Sequence, residues 1–139
     1  MNTVHTLKEY VDALRKAGIL VESPENNALA AREIHCLTYD TRALSTDALF
    51  ICKGAHFKEE YLRNALSRGA IAYVAEEKHN ADAPCILVSD IRYSLVVLGQ
   101  LFYDHVTDKL TSVGITGTKG KSTTAYYVRY ILNDWLRAQ

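Results

Sequence analysis

The pattern of residues 48–75 constrains the fold more than any other feature of this sequence. Two continuously apolar runs, residues 48–52 and 70–75, have the length of buried strands. Between them, apolar side chains recur at helical spacing and a glycine follows as a C-cap: Tyr61, Leu62, Ala65, Leu66 and Gly69. A strand, a helix and a strand in so short a span form a βαβ unit, which predicts an α/β fold whose sheet is mixed or parallel.

Further elements flank this unit. Thr6 and Glu9 have the spacing of a capping box, and an apolar stripe then runs to Gly18, which predicts a short amphipathic helix. Residues 22–31 read as a polar connection, residues 34–39 as a half-buried strand and residues 85–88 as another short strand. Ser89 or Asp90 then caps a helix with one apolar face, which consists of Ile91, Leu95, Leu98, Leu101 and Phe102. We therefore expect residues 1–107 to complete an α/β domain of their own.

Composition limits the class of function. The chain has 139 residues, 48% of them hydrophobic, and its formal net charge is zero with basic residues scattered among acids. This distribution argues against nucleic-acid and anionic-membrane partners. The sequence has no apolar run of membrane-spanning length, and its three cysteines, Cys36, Cys52 and Cys85, have no CxxC spacing. It therefore predicts a cytoplasmic protein that has neither a disulfide framework nor a zinc site.

A glycine-punctuated loop follows near the end of the sequence. Residues 114–122 read Gly-Ile-Thr-Gly-Thr-Lys-Gly-Lys-Ser. Leu110, Val113 and Ile115 predict a buried strand before this loop, and apolar residues at helical spacing predict a helix from Lys121 onward. Converging backbone amides at a helix start bind phosphate, so Lys121 would reach the β- and γ-phosphates of a nucleotide and the Ser122 hydroxyl would bind Mg²⁺. The alternative is a strand-to-helix turn without a ligand.

The phosphate loop predicts a second domain. We place its start after residues 106–109, so that residues 108–139 hold the first strand, the phosphate loop and a helix of a P-loop ATPase domain. Acidic residues from neighbouring strands, which such domains use to hold Mg²⁺, do not follow. The last helix also has no Gly or Pro stop, so we expect this domain to be truncated.

A second candidate site follows the 34–39 strand. Thr41 offers a hydroxyl and Arg42 a bidentate fork that suits a pyrophosphate, while the 53–57 loop adds the rings of His56 and Phe57 for stacking on a base. Ligands of open α/β sheets bind at such strand ends. The alternative for Asp40 and Arg42 is a turn held by a surface ion pair, and for His56 a plain exposed loop histidine.

Three stretches together resemble one known family. These are Thr38-Tyr39-Asp40-Thr41-Arg42, then Ala48-Leu49-Phe50-Ile51-Cys52-Lys53-Gly54, then residues 113–123 with the phosphate loop. Their order and intervals are similar to those of the amino-terminal part of the Mur ligases, of the UDP-N-acetylmuramoyl-tripeptide synthetase (MurE) type. The resemblance implies a three-domain cytoplasmic enzyme of peptidoglycan synthesis, with ATP and Mg²⁺ as cofactors. Such an enzyme adds L-lysine or meso-diaminopimelate to UDP-N-acetylmuramoyl-L-alanyl-D-glutamate.

The same resemblance implies roles for individual residues. Tyr39, Thr41, Arg42 and His56 would bind the UDP end of the substrate, with Thr41 at the position of a family serine. Gly117, Thr118, Lys119, Gly120, Lys121, Ser122 and Thr123 would hold the ATP phosphates, and Ser122 the Mg²⁺ of the complete enzyme. Catalytic residues are expected in none of these stretches. They belong to the remainder of the central domain and to the carboxyl-terminal domain, so we predict that this chain alone has no ligase activity.

Two departures from the family pattern and several alternatives remain. Lys119 stands where many members have Asn, and Lys58-Glu59-Glu60 where they have Asp-Gly. A stand-alone nucleotide-sugar-binding module, a phosphate-loop kinase or GTPase, and the Mur ligase that adds D-alanyl-D-alanine are the competing interpretations. The identity of the added amino acid is not predicted by these residues.

Overall fold

A computed structural model describes residues 4–54 and 57–138. The chain divides into two compact units, Met1–Val106 and Thr107–Gln139. This division lies one residue from the boundary that the sequence predicts, and the roles of the two units stay predictions.

The first unit contains a five-stranded mixed sheet in the order β2-β7-β6-β5-β4. Its strands are β2 (Leu20–Glu22), β4 (Cys36–Thr38), β5 (Ala48–Ile51), β6 (Ala70–Ala75) and β7 (Cys85–Val88). β4 to β7 are mutually parallel, whereas β2 pairs antiparallel with β7 at one edge. A separate antiparallel ribbon joins β1 (His5–Thr6) to β3 (Glu33–Ile34). The α/β class with a mixed sheet is therefore confirmed.

Among the described residues of this unit, four α-helices accompany the sheet: α1 (Leu7–Lys16), α2 (Asn27–Ala30), α3 (Glu59–Ser67) and α4 (Ile91–Phe102). The capping box of α1 forms as predicted, with the Glu9 carboxylate accepting the Thr6 backbone N–H at 2.7 Å and the Thr6 side chain accepting the Glu9 backbone N–H. Of the two candidate caps of α4, Asp90 accepts hydrogen bonds from the N–H groups of Arg92 and Tyr93. Local side-chain chemistry thus sets where these helices begin.

Two parts of the first unit differ from the sequence prediction. Residues 22–31, expected as a polar connection, include the end of β2 and the short helix α2, whose N-cap Asn26 accepts from Leu29 N–H at 3.1 Å. The single strand expected at residues 34–39 is instead divided into β3 and β4. Its two halves pair with different strands, since Ile34 lies opposite His5 while Cys36 lies opposite Ala48.

The sheet separates two hydrophobic cores. One core includes Leu7 and Leu14 of α1, Leu49 and Val74 of the sheet, and Leu98 of α4, all at most 1% exposed. The other includes Phe50 and Tyr73 of the sheet and Leu62 and Ala65 of α3, also at most 1% exposed. Adjacent residues of β5 point to opposite cores, as the period of two of a strand requires. The first unit therefore has helices on both faces of its sheet.

The second unit has one long helix, α5 (Lys121–Arg137), after a short 3₁₀ turn at Val106–Lys109. The predicted strand before the phosphate loop is wrong in this structure: residues 111–116 form no strand, and Val113 is 74% exposed. Within the part of this unit that the structure describes, no other strand is present to supply hydrogen-bond partners. Of the helices described, none is long and apolar enough to cross a membrane.

Candidate functional site

The first candidate site lies at the edge of the sheet where the parallel strands have their carboxyl ends. The segments that follow β4, β5, β6 and β7 emerge at the same edge because these strands are parallel. A cleft of about 810 Å³ opens between the last three segments and is lined by Lys53, Phe57, His79 and Arg92 among others. A smaller pocket of about 340 Å³ is lined by Tyr39, Asp40, Thr41, Arg42 and Tyr61. Three of the four residues predicted to bind the UDP end thus line one pocket.

Asp40 organises the turn after β4. Its carboxylate caps the 3₁₀ helix Thr41–Ala43 by accepting from Arg42 N–H at 2.9 Å. It also accepts from the Arg42 guanidinium, from Nη2 at 2.7 Å and from Nε at 3.0 and 3.1 Å. These side-chain hydrogen bonds, followed by the backbone one, lower the pKa of Asp40 from 3.8 to about 2. The fork that was predicted to receive a pyrophosphate is therefore bonded to Asp40 here.

Thr41 is fixed through its backbone. The Arg68 guanidinium, which follows α3, donates from Nη1 to the Thr41 carbonyl at 2.6 Å. This bond ties the turn after β4 to the end of α3. The Thr41 side chain is half-buried and lines the smaller pocket, where its hydroxyl can donate to or accept from a ligand.

Tyr39 and Lys53 meet at this edge. Tyr39 directly follows β4 and is 56% exposed, and the Lys53 ammonium lies 5.1 Å from the centroid of its ring. This is within the range of a cation–π contact. Lys53 was not among the residues predicted to bind the substrate. Its contact with Tyr39 arises because β4 and β5 are neighbours in the sheet, and the sequence does not show which strands are neighbours.

The predicted histidine lies outside the described residues, but another histidine enters the site. His56 belongs to the undescribed pair 55–56. Its neighbour Phe57 packs against the ring of His79, with centroids 4.9 Å apart. His79 is anchored in turn, since its N–H donates to the Tyr73 hydroxyl at 3.3 Å. Sequence reasoning missed His79 because a histidine in a polar loop carries no local signal of a site.

Cys52 also lines the larger cleft, yet it is a poor nucleophile. Burial, with a smaller contribution from Cys85, raises the pKa of Cys52 from 9.0 to about 12. The thiolate is the reactive form of cysteine, so this group is almost entirely protonated near neutral pH. The cleft can bind a ligand, but it offers no activated thiol for covalent chemistry.

The phosphate loop of the second unit forms the start of α5. Gly120 is the N-cap of this helix with a φ of 78°, and Gly117 has a φ of 150°, conformations that favour glycine. Lys121 turns back over the loop, where its Nζ donates to the Gly117 carbonyl at 2.6 Å. The side chains of Ser122 and Thr123 are exposed on the first helical turn. Since the first N–H groups of a helix have no acceptor within it, this arrangement fits a phosphate and its counter-ion.

The other predicted residues of the loop, Thr118 and Lys119, are exposed beside it. A Cβ on Gly117 would lie in ordinary contact with the Lys119 carbonyl oxygen, at 3.4 Å, so the positive φ and not a lack of space favours glycine there. The loop therefore brings all seven predicted phosphate-binding residues, from Gly117 to Thr123, together at one helix start.

Comparison with known proteins gives close relatives. No family model matches the chain. It is 43% identical over 131 residues to the UDP-N-acetylmuramoyl-L-alanyl-D-glutamate--L-lysine ligase of Enterococcus faecalis, a match over 88% of this chain and 26% of that protein. The ligase of the same name from Streptococcus agalactiae serotype V is 44% identical over 98 residues, 70% of this chain and 20% of that protein. The chain thus spans about a quarter of the length of the curated relatives it matches.

Solved structures with the same fold come from another branch. A MurF crystal structure from Acinetobacter baumannii matches with a TM-score of 0.60 and 22% identity, over 88% of this chain and 26% of that one. A second MurF structure from that organism has a TM-score of 0.54 and 19% identity, over 72% and 21%. At such identities the likeness concerns the fold alone. The relatives identify the sequence: this chain is a homologue of the amino-terminal part of the Mur ligases of the MurE type.

Proposed function

We propose that this chain is the amino-terminal part of a cytoplasmic, ATP-dependent ligase that adds L-lysine to UDP-N-acetylmuramoyl-L-alanyl-D-glutamate in peptidoglycan synthesis. The observation that carries the proposal is the 43% identity over 131 residues to a ligase of that name. Because the second unit holds about a quarter of the chain, a match over 88% of it includes residues of both units. The names of these relatives favour L-lysine over meso-diaminopimelate as the added amino acid.

In this proposal the first unit binds the UDP end of the substrate. Tyr39, Thr41 and Arg42 line one pocket beside a larger cleft, at the edge of the sheet where α/β folds bind ligands. His56 is expected to contribute from the loop beside Lys53. None of these groups reacts; they hold the nucleotide while the chemistry proceeds at the far end of a long substrate.

The second unit would hold ATP and Mg²⁺. Gly117 to Thr123 would surround the phosphates, with Lys121 moving from the Gly117 carbonyl to a phosphate oxygen and Ser122 binding the metal ion. When bound, ATP would activate a substrate carboxylate for attack by an amine. The remaining strands and acidic metal ligands are expected from the rest of the central domain, which would also cover the exposed apolar side chains of α5. The carboxyl-terminal domain would select the amino acid.

A binding titration tests the proposed role of the first unit. The 139-residue chain, labelled with ¹⁵N, is titrated with UDP-N-acetylmuramoyl-L-alanyl-D-glutamate, and with ADP as the control nucleotide. We expect the UDP compound to shift the amide signals of residues 39–42 and 53–57. Tight binding of ATP together with no response to the UDP compound would contradict the proposal.

An activity assay tests the whole-protein proposal. The full-length protein that carries this sequence should release phosphate from ATP when given the UDP-linked dipeptide and L-lysine. With meso-diaminopimelate in place of L-lysine, release should be much slower. Activity only with the UDP-linked tripeptide and D-alanyl-D-alanine would instead establish the alternative Mur ligase. The 139-residue chain alone should be inactive in every mixture.

A further inference from the structure

We infer that Lys53, held over the ring of Tyr39, is the cation that binds the diphosphate of the nucleotide ligand in the first unit. The inference rests on the proposed function, because it assigns a role within the proposed UDP site. The observations that carry it are the contact of Lys53, a residue of the larger cleft, with Tyr39 of the smaller pocket, and the different charge environments of Lys53 and Arg42.

Sheet topology brings Lys53, which lines the larger cleft, next to Tyr39, which lines the smaller pocket. β4 and β5 are adjacent and parallel, with Thr38 opposite Phe50, so the chain leaves both strands side by side. Tyr39 lines the smaller pocket and Lys53 the larger cleft, and the ammonium lies 5.1 Å from the centroid of the tyrosine ring. A nucleotide that occupies both pockets would carry its diphosphate past this ammonium.

The charge environment distinguishes Lys53 from Arg42. The Arg42 guanidinium is paired with Asp40, which stays ionised because its pKa is lowered to about 2. That pair has no net charge to offer a diphosphate. Lys53, by contrast, has no ion pair among residues 4–54 and 57–138. Lys53 therefore brings a positive charge without an ion-pair partner into contact with the Tyr39 ring.

Acidic residues on the far side of the cleft limit where a diphosphate can lie. Glu76 and Asp90 line that side, and both carboxylates accept backbone N–H groups at the start of α4. Glu77 also lines the cleft, and so does one cation of α4, Arg92. An anion is repelled by this acidic group and attracted to the Lys53 side. The cleft thus favours one end for the diphosphate, next to Tyr39.

Tyr39 acts here as a positioning residue. A cation over a tyrosine face is attracted to the ring, not to the hydroxyl, so phenylalanine should replace tyrosine without loss. A leucine at the same position keeps apolar bulk but removes the aromatic face. The pair of variants Tyr39→Phe and Tyr39→Leu separates a cation–π role from a purely steric one.

The test compares uridine, UMP and UDP in NMR titrations of the 139-residue chain. Lys53→Met should weaken UDP binding about tenfold, the loss expected for one hydrogen bond to a charged group, and leave uridine affinity nearly unchanged. Lys53→Arg should bind UDP almost as the parent chain does. Lys58→Met removes an exposed lysine a few residues further along and is the matched control, with no expected change. Tyr39→Leu should weaken UDP binding, whereas Tyr39→Phe should bind UDP as tightly as the parent chain does.

The outcomes separate this inference from the proposed function. If the parent chain binds UDP and Lys53→Met binds it equally well, the role of Lys53 is wrong while the UDP site stands. An equal loss of uridine and UDP would also overturn it, because a diphosphate contact cannot affect the nucleoside. A parent chain that binds neither UDP nor the UDP-linked dipeptide would overturn both proposals.

Discussion

Both units of this chain contain helices whose apolar residues recur at helical spacing, but these residues are buried in the first unit and exposed in the second. In the first unit, the apolar faces of α1, α3 and α4 pack on a sheet, and residues such as Phe50 and Leu98 are at most 1% exposed. In the second, α5 is the longest helix described, yet Tyr126, Tyr130 and Trp135 are all more than half exposed. Helical periodicity therefore predicts a helix in both units, whereas burial depends on a sheet that only the first unit has among the described residues.

The largest expected difference in stability is between two variants that each remove one aromatic ring, one in each unit. Phe50→Ala empties a buried site beneath α3 and should lower the free energy of unfolding of the first unit by about 3–5 kcal/mol. Trp135→Ala, the matched change on exposed α5, should alter the free energy of unfolding of the chain by less than about 0.5 kcal/mol. Urea unfolding followed by circular dichroism measures both. Equal losses would show that α5 has a buried face in solution.

A glycine in each unit gives the next comparison. Gly69 has a φ of 109°, and a Cβ there would lie 3.1 Å from the Thr46 Cα. Gly69→Ala should therefore destabilise the first unit by about 1–3 kcal/mol, through strain in a sparsely populated backbone region. Gly114→Ala meets nothing within 4 Å and should be nearly neutral. A neutral Gly69→Ala in thermal unfolding would mean that the turn before β6 relaxes freely.

Helix capping should produce a smaller difference. Asp90→Ala removes the side chain that accepts two N–H groups at the start of α4, and should cost about 1 kcal/mol. Asp134→Ala near the end of exposed α5 should cost nothing, because a negative charge there is unfavourable to the helix dipole. Chemical unfolding of both variants checks the prediction, and a costly Asp134→Ala would contradict it.

The smallest effect on stability is expected from Asp40, whose pair with Arg42 is exposed. Its folded pKa lies below the ordinary value, so any stabilisation is present above about pH 4 and is lost as the pH falls through about 2. A carboxyl-detected NMR titration should give a midpoint near 2. Arg42→Gln should move this midpoint toward 3.8, since the largest cause is the Arg42 side chain. An unmoved midpoint would rule out that cause.

Much of the first unit could be predicted because its signals are local. The limits of β6 and β7 follow from short apolar runs, and the starts of α1 and α4 from capping residues close in sequence. The edge strand β2 was missed because two of its three residues are exposed and no alternation is visible. The strand expected before the phosphate loop does not form, for the opposite reason. Its apolar residues are present, but a strand needs neighbouring strands to pair with its backbone N–H and C=O groups.

The sequence by itself determined the α/β class and the resemblance to the Mur ligases, and it predicts a phosphate loop at Gly117 to Thr123, because each depends on residues that are close along the chain. Only the tertiary structure decided which loops meet. It placed Lys53 beside Tyr39 and His79 beside Phe57. Those contacts depend on the order of the strands in the sheet, which no local pattern of side chains specifies.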